Sequence, residues 1–390
     1  MRWIKDSIHG DVFISTIADA IIETPTMQRL RRVVQTSFSN LLYPGANHTR
    51  FEHSIGTYFL TSRGCFLNNV PKDQGTRLVL AGLLHDVGHS AFSHALEGVV
   101  EKYMGKDHED YSRELITNGE IAGILDKHGI EPKSIASVYD EPVGKFILGY
   151  LGTDKMDYLL RDSHYTGVAY GAVDADRILR KVVIKNDGVH LEEKGISAAE
   201  AMLMARFLMY SNVYMHHVAV SAGAMIERAA EDAIAHGALK PEELSTMDDW
   251  QLMGRLEQAG GQATELARRL KNRRIYKAAA QRKMKDFKNW LYLGELGEDD
   301  LREAEAEIAA KAGIRPEEVI ICIPAPWFMD VGIQVIKNGD YYSLEEASLI
   351  TRLLKEAQWD YLNVMALCPE EHRSAVEAVG LSVLESYGGE

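Results

Sequence analysis

A short segment of the chain concentrates side chains that can bind a metal ion or move protons. Between Leu84 and His94 the sequence reads LHDVGHSAFSH, which places His85 beside Asp86 and adds His89 one helical turn later. Neighbouring residues on a helix diverge by about 100°, so the first two can reach one ion beside the helix, and the third shares a face with His85. Imidazole and carboxylate ligands together favour a borderline transition metal over calcium. A structural zinc site would usually include cysteine thiolates, and this segment contains no cysteine. The alternative is a helix whose histidines are ordinary core residues.

Two other segments could complete such a site. Arg50 and His53 are three residues apart and therefore share one helical face. In the segment DKMDYLLRD, polar side chains fall along a single helical stripe at Asp154, Tyr158, Arg161 and Asp162. The alternative for this segment is a solvated face on which Asp157 and Arg161 form an ordinary surface ion pair.

The composition limits the classes of protein to which the chain can belong. Its 390 residues are 46% hydrophobic, enough for one large domain or two to three smaller ones. Lys and Arg number 43 against 57 Asp and Glu, a net charge of −14, which argues against broad nucleic-acid binding. Cys65, Cys322 and Cys368 lack metal-site spacing and predict reduced thiols. No signal peptide or membrane-length apolar run is visible, so we expect a cytoplasmic protein without membrane contact.

Most of the first 235 residues predict helix. Residues 77–103 carry apolar side chains at helical spacing, interrupted near Gly88, and residues 198–235 are rich in Ala, Met and Leu. One β-hairpin stands out at residues 182–193, where two β-prone runs flank an Asn-Asp-Gly turn.

The pattern changes beyond residue 265. Residues 268–288 contain ten Lys and Arg but a single acid, Asp286. An acidic helix, a strand, a second hairpin around Gly339 and a terminal helix over residues 344–368 are predicted to follow. The sequence thus predicts a mainly α protein in three parts: a helical catalytic region with a short β-hairpin (1–265), a basic connector (266–295) and a small α+β C-terminal region (296–390).

The order of the candidate ligands resembles a known family. His53, then His85 with Asp86, then Asp154 is similar to the H…HD…D pattern of the HD phosphohydrolases, whose catalytic core is a helical HD domain. Flanking stretches more narrowly resemble the deoxynucleoside triphosphate triphosphohydrolases, the group of the vertebrate sterile-alpha-motif-and-HD-domain protein and bacterial dGTPase-like enzymes: SIHG (7–10), TPTMQRLR (24–31), YPGA (43–46) and RFEHSIG (50–56).

The resemblance implies roles for the polar residues. It implies that one divalent transition metal (Fe, Mn, Zn or Ni) is bound by His53, His85, Asp86 and Asp154, and additional Mg could accompany a nucleotide. Four protein ligands leave two positions of an octahedral ion for a water and a phosphate oxygen. His89 and His108 would then move protons, with Glu109 orienting His108, while Glu97 stands where the family usually has Asp.

The same resemblance supplies candidate substrate contacts. The cations expected to bind a triphosphate are Arg50, Lys155 and Arg206. The residues expected to contact sugar and base are Gln35, Tyr158, Asp162 and Tyr214. Asp162 could accept a hydrogen bond from a 3′-hydroxyl, Tyr158 could close over the sugar, and Tyr214 could stack on a base. The alternative for Tyr214 is an aromatic residue used in helix packing.

Three functions compete. The leading hypothesis is hydrolysis of deoxynucleoside triphosphates to deoxynucleoside and inorganic triphosphate, because three candidate cations suit a triphosphate. An HD-type nucleotide monophosphatase or phosphodiesterase would use the same metal site. A nucleotide-binding regulator with weak catalysis is the third, and the complete metal set with His89 and His108 argues against it.

The resemblance also implies a homo-dimer or homo-tetramer. The stretch RRIYK at residues 273–277 is similar to one that helps relatives hold an activating nucleotide between subunits, where Arg29 and Arg31 could also contribute. The alternative is a basic helix face whose charges pair with acidic neighbours, which a net charge of −14 favours.

Overall fold

Helices dominate the chain, which confirms the predicted mainly α class. The computed structural model describes residues 2–185, 187–288, 290–328 and 331–387. The α-helices in chain order are α1 (Thr16–Ile22), α2 (Pro25–Arg29), α3 (Arg50–Leu67), α4 (Lys72–Leu84), α5 (Glu97–Met104), α6 (His108–Thr117), α7 (Gly119–Lys127), α8 (Pro132–Ala136), α9 (Lys145–Leu148), α10 (Thr153–Thr166), α11 (Ala175–Leu179), α12 (Ile196–Met209), α13 (His217–Ala235), α14 (Asp249–Leu256), α15 (Gly261–Lys271), α16 (Trp290–Leu293), α17 (Glu298–Ala312), α18 (Leu344–Ala347), α19 (Leu349–Ala357) and α20 (Arg373–Tyr387).

Short strands form three small sheets among the described residues. The strands are β1 (Arg2–Asp6), β2 (Gly10–Ile14), β3 (Val182–Lys185), β4 (Gly188–Glu192), β5 (Lys277–Lys283), β6 (Ile320–Cys322), β7 (Gln334–Lys337), β8 (Asp340–Ser343) and β9 (Asn363–Cys368). β1 and β2 form an antiparallel hairpin, and both predicted hairpins, β3–β4 and β7–β8, are confirmed. Parallel pairing of β4 with β7 joins them into one four-stranded sheet. The turn residue Asn186 lies outside the described residues.

The chain divides into two compact units, each built from separate segments of sequence. The first unit comprises Met1–Met209, Pro241–Leu252 and Asp330–Leu354, and the second comprises Tyr210–Lys240, Met253–Met329 and Lys355–Glu390. The predicted division of the chain at residues 265 and 295 stays a prediction.

The core of the first unit lies where α3, α4 and α10 pack together. Each contributes fully buried apolar side chains, such as Ile55 from α3, Leu83 from α4 and Leu159 from α10. Apolar residues at helical spacing bury one stripe of each helix against its neighbours, and this burial is the main source of stability. Some polar residues on these helices, such as His53 on α3 and Asp157 on α10, are also buried in this core.

Two predicted helices are broken. The helix predicted over residues 77–103 stops at Leu84, and α5 begins only at Glu97. The helix predicted over 198–235 contains a π-helical segment, Tyr210–Tyr214, between α12 and α13. The first break contains the interruption that the sequence predicted near Gly88 but is longer, whereas the second was not predicted, because apolar residues continue on both sides of it.

The predicted terminal helix over residues 344–368 is wrong in its last part. Helix α19 ends at Ala357, and residues 363–368 form β9, the middle strand of the β5–β9–β6 sheet. Residues 364–368 are all buried, as expected for a strand covered on both faces. A short continuous apolar run carries no period that separates such a strand from a helix.

The basic connector contributes regular structure to the second unit. Its described residues include the end of α15, strand β5 and the short helix α16. Arg269 pairs with Glu371 at 3.1 Å, and Lys285 pairs with Asp360 at 2.5 Å. These ion pairs match the alternative in which the basic residues are neutralised by acidic neighbours.

Two smaller sequence predictions can be compared with the structure. Cys65, Cys322 and Cys368 are all free thiols, as predicted. Within the described part of the chain, every helix is too short or too polar to cross a membrane.

Candidate metal centre and its surroundings

Helices α3 and α4 bring two histidines together in the core of the first unit. His53 lies in the first turn of α3, and His85 caps the C-terminus of α4. Their Nε2 atoms are 3.2 Å apart, and both side chains are almost fully buried. The Glu52 carboxylate accepts a hydrogen bond from the Thr49 main-chain N–H at 2.6 Å, which fixes where α3 begins. The two imidazoles therefore converge from separate helices.

Both imidazoles use their other ring nitrogen for a protein contact. Nδ1 of His85 lies 3.0 Å from the Gly82 carbonyl oxygen, and Nδ1 of His53 lies 2.8 Å from Oδ2 of Asp157. Carbonyl and carboxylate oxygens only accept, so each Nδ1 donates. Each Nε2 is consequently directed toward the space between the helices.

Carboxylates complete the cluster. Asp86 Oδ1 lies 3.2 Å from Nε2 of His85, and the candidate ligand atoms of His53, His85 and Asp86 are all within 4.8 Å of one another. Asp154, in the first turn of α10, places Oδ1 at 3.1 Å from Nε2 of His53 and 3.6 Å from Nε2 of His85. The structure thus brings together all four predicted ligands.

The close packing of these groups shifts their pKa values. Burial alone would lower the pKa of His53, but hydrogen bonds to Asp154 and Asp157 and the charge of Asp86 raise it to about 10. Burial would raise the pKa of Asp86, but the charges of His85, Arg50 and His89 hold it well below its usual range. Ionised carboxylates around these imidazoles stabilise a positive charge at the cluster, which a divalent transition metal bound in place of the His53 Nε2 proton would supply.

The loop after α4 packs closely on α6, and this packing positions His89. A Cβ atom on Gly88 would lie 2.3 Å from the Ser112 main-chain nitrogen and 2.5 Å from the His108 carbonyl oxygen. Such distances exclude any side chain, so the loop backbone packs directly on α6. Gly88 N–H also donates to Ser112 Oγ at 2.9 Å. His89 consequently lies beside the first residue of α6.

Further contacts fix the rest of this loop. Phe92 and Ser93 have left-handed backbone angles, with φ of 55° and 50°, which non-glycine residues rarely adopt. Asp249 accepts the Phe92 N–H at 2.7 Å, and Ser93 Oγ accepts from Nε of Arg50 at 2.6 Å. Arg29, predicted to meet a nucleotide, is buried and donates to the carbonyl oxygen of His89 at 2.6 Å.

His89, His108 and Glu97 lie together on one side of the candidate ligands. The rings of His89 and His108 stack with centroids 4.0 Å apart, and Nε2 of His89 lies 3.4 Å from Asp86 Oδ1. Burial and the charges of Arg50 and His108 lower the pKa of His89 well below its usual value. Burial would lower the pKa of His108, but its hydrogen bond to Glu97 raises it.

The predicted role of Glu109 needs correction. The His108 Nδ1 contact is with Glu97 Oε1, whereas Glu109 Oε2 lies 3.3 Å from Arg113, one turn along α6. Adjacent helical residues diverge by about 100°, so Glu109 faces away from its neighbour. Glu97, the departure from the family pattern, is the acid that orients His108.

His94 also joins this group, although the sequence did not place it in the site. Its Nδ1 lies 2.9 Å from Glu97 Oε2, and its ring meets that of His89 edge-on at 5.0 Å. His94, Glu97 and His108 form a second group of metal-ligating types. The sequence feature that could have indicated this contact is the separation of three residues between His94 and Glu97, about one helical turn.

The predicted phosphate-binding cations of the first unit flank the cluster. Arg50 Nη1 donates to Asp86 Oδ2 at 2.5 Å, and Lys155 Nζ donates to Asp154 Oδ2 at 3.0 Å. Arg206 Nε lies 3.3 Å from the Tyr158 hydroxyl. The ring of Tyr158 meets His53 at a centroid distance of 6.4 Å, so both belong to the immediate surroundings of the cluster.

The other predicted substrate contacts have different surroundings. Gln35 is buried, and its side-chain oxygen has no hydrogen-bond partner among the described residues. Asp162 is buried with Oδ1 at 2.7 Å from Nε2 of His48. Tyr214 belongs to the second unit, where its ring packs edge-on against Tyr210 at 5.0 Å.

The solvated-face alternative for α10 is contradicted. Asp157 and Arg161 are both completely buried, and Asp6 and His9 of the N-terminal hairpin contact them. The sequence contained a signal for this network, because Asp157 and Arg161 lie one turn apart between apolar neighbours such as Met156.

Two family models match the chain. The HD domain matches residues 50–146, and the HD associated region matches residues 173–386. The first includes His53, His85 and Asp86, whereas Asp154 falls between the two. The chain belongs to the HD-domain superfamily of phosphohydrolases.

Similar proteins support this membership. An uncharacterized protein of Methanocaldococcus jannaschii is 34% identical over 387 residues, which cover 95% of this chain and 80% of the relative. The deoxynucleoside triphosphate triphosphohydrolase SAMHD1 homologue of Dictyostelium discoideum is 29% identical over 314 residues, 70% of this chain and 59% of the relative. The crystal structure of a phosphohydrolase from Bacteroides thetaiotaomicron matches with a TM-score of 0.76 at 25% identity, covering 95% of this chain and 100% of the other.

Proposed function

We propose that the chain hydrolyses deoxynucleoside triphosphates to a deoxynucleoside and inorganic triphosphate. The observation that carries the proposal is the buried cluster of His53, His85 and Asp86 with cationic side chains at its edge. Arg50 and Lys155 each contact a cluster carboxylate, and such cations suit a substrate with several negative charges. The similarity to the Dictyostelium triphosphohydrolase supports the same substrate class.

The donor set fits one divalent transition metal (Fe, Mn, Zn or Ni) bound by His53, His85, Asp86 and Asp154, with Mg accompanying the nucleotide. When bound, such an ion supplies a water of lowered pKa and polarises the phosphorus centre. The oxygen of a water forms a bond to the α-phosphorus while the bond from phosphorus to the 5′-oxygen breaks. His108, oriented by Glu97 and stacked on His89, donates a proton to the leaving 5′-oxygen, and the proton released by the attacking water returns through solvent to restore His108.

The remaining side chains select the substrate. Arg50, Lys155 and Arg206 bind the phosphate chain, and Tyr158 lies over the sugar. Gln35 supports a polar contact to the substrate because its buried side-chain oxygen lacks a partner in the described structure. Asp162 accepts from the sugar 3′-hydroxyl.

A substrate panel tests this proposal. Metal-loaded protein is incubated separately with the four deoxynucleoside triphosphates, a ribonucleoside triphosphate, a nucleoside monophosphate and a cyclic dinucleotide, with D86A as the inactive control. We expect deoxynucleoside to appear only from the deoxynucleoside triphosphates. Hydrolysis of the monophosphate or the cyclic dinucleotide alone would favour a monophosphatase or phosphodiesterase instead.

A further inference from the structure

Both oxygens of the buried Asp157 carboxylate have hydrogen-bond partners. Oδ2 accepts from Nδ1 of His53 at 2.8 Å and from Nε of Arg161 at 2.9 Å. Oδ1 lies 2.6 Å from Nε2 of His9 and accepts from Nη2 of Arg161 at 3.0 Å. The carboxylate therefore fixes the proton of His53 on Nδ1 and leaves Nε2 for the cluster.

Arg161 connects this carboxylate to the N-terminal hairpin. The guanidinium is completely buried, and it also donates to Asp6 from Nη1 at 2.9 Å and from Nη2 at 3.2 Å. Two carboxylates and one guanidinium buried together are costly to desolvate, so they contribute little net stability.

Helix α3 is adapted to this carboxylate. A Cβ atom on Gly56 would lie 1.8 Å from Oδ1 of Asp157 and 2.5 Å from Nη2 of Arg161. Gly56 lies three residues after His53 on the same helical face. The absence of a side chain at residue 56 allows Asp157 to reach the imidazole.

We infer that Asp157 is a positioning residue of the metal centre. By accepting a hydrogen bond from Nδ1, it fixes the tautomer and the ring orientation of His53. The inference rests on the proposed assignment of His53 as a metal ligand. A carboxylate that accepts from a ligating histidine in this way typically changes metal affinity by about 10–100-fold. The role is one of positioning, because Asp157 contacts His53 on Nδ1, the ring nitrogen opposite the one that joins the cluster.

Cobalt(II) titration followed by visible absorption tests the inference on the full chain. Asp157→Asn should weaken cobalt binding by about 10–100-fold and shift the absorption bands. The control is Asp6→Asn, which changes the other carboxylate that binds Arg161 but leaves the bond between Asp157 and His53 intact, so its cobalt affinity should match that of the unmodified protein. Equal weakening in both variants, or none in Asp157→Asn, would overturn the positioning role. Undiminished binding in His53→Ala would instead overturn the ligand assignment.

A measurement on the unmodified chain covers the case in which Asp157→Asn does not fold. Protein labelled with nitrogen-15 histidine is loaded with zinc, and the His53 signals are assigned by their loss in His53→Gln. We expect Nδ1 to carry a hydrogen-bonded proton and Nε2 to carry none. A His53 ring with its proton on Nε2 would contradict the inference.

Discussion

Individual side chains decide whether this core can hold an ion. His53, His85 and Asp86 were predictable because their types, order and spacing define a donor set. The resemblance implied Glu109 as the acid that orients His108, whereas the structure places Glu97 Oε1 at the ring. The contact between Asp157 and His53 depends on how α10 packs against α3, and the sequence of neither helix alone predicts that packing.

Removing one ligand should empty the centre. Asp86→Ala deletes the carboxylate that lies 3.2 Å from Nε2 of His85 and leaves the cation of Arg50 facing the site. We expect the metal content, measured by elemental analysis, to fall to background. Asp126→Ala, a substitution of an exposed acid on α7, is the control and should retain the metal. Undiminished metal in Asp86→Ala would reject the assignment.

Removing His89 should separate proton transfer from binding. His89→Ala takes away the ring that stacks on His108, so turnover should fall by about 10²–10⁴-fold while metal and nucleotide binding persist. Initial rates and equilibrium binding of a nucleotide measure the two effects, with the exposed His128→Ala as control. Near-normal turnover in His89→Ala would assign the proton transfer elsewhere.

At the scale of elements, the loop after α4 is the part that periodicity could not predict. Apolar residues continue from α4 into α5, so the sequence indicated a helix interrupted only near Gly88. In the structure the chain leaves the helix after Leu84 and follows α6 closely. Long, strongly periodic helices such as α3, α10 and α17 were predictable. Strand β9 was not, because a strand that is buried on both faces shows no alternation of polar and apolar residues.

A pair of glycine substitutions tests this packing. Gly88→Ala would place a methyl group 2.3 Å from the backbone of α6, and such overpacking should lower the free energy of unfolding by about 1–3 kcal/mol. Gly123→Ala on α7 meets nothing within 4 Å and should raise it by about 0.5–1 kcal/mol. Chemical denaturation of chelator-treated protein measures both. Equal stabilities for the two variants would contradict the close approach of the loop to α6.

At the scale of the whole molecule, the resemblance predicted the family but not the arrangement of the chain. Each compact unit takes residues from separate stretches of sequence, and such interleaving requires contacts between distant segments. Parallel pairing of β4 with β7 is one example, because it joins residues more than a hundred positions apart. Local patterns carry no information about partners at that distance.

Assembly provides the prediction at this scale. If subunits share an activating nucleotide, GTP or a deoxynucleoside triphosphate should shift the oligomer toward a dimer or tetramer by mass action, and turnover should rise cooperatively. Sedimentation velocity and initial rates with and without nucleotide measure the two effects. One fixed species with and without nucleotide, together with simple saturation, would exclude an activator site of this kind.

The position of bond cleavage tests the proposed reaction most directly. Metal-loaded protein reacts in a single turnover with each deoxynucleoside triphosphate in oxygen-18 water, and the products are separated and weighed by mass spectrometry. Attack at the α-phosphorus predicts inorganic triphosphate carrying one oxygen-18 atom and an equal amount of unlabelled deoxynucleoside. A nucleoside monophosphate, or labelled orthophosphate as the first product, would contradict the account.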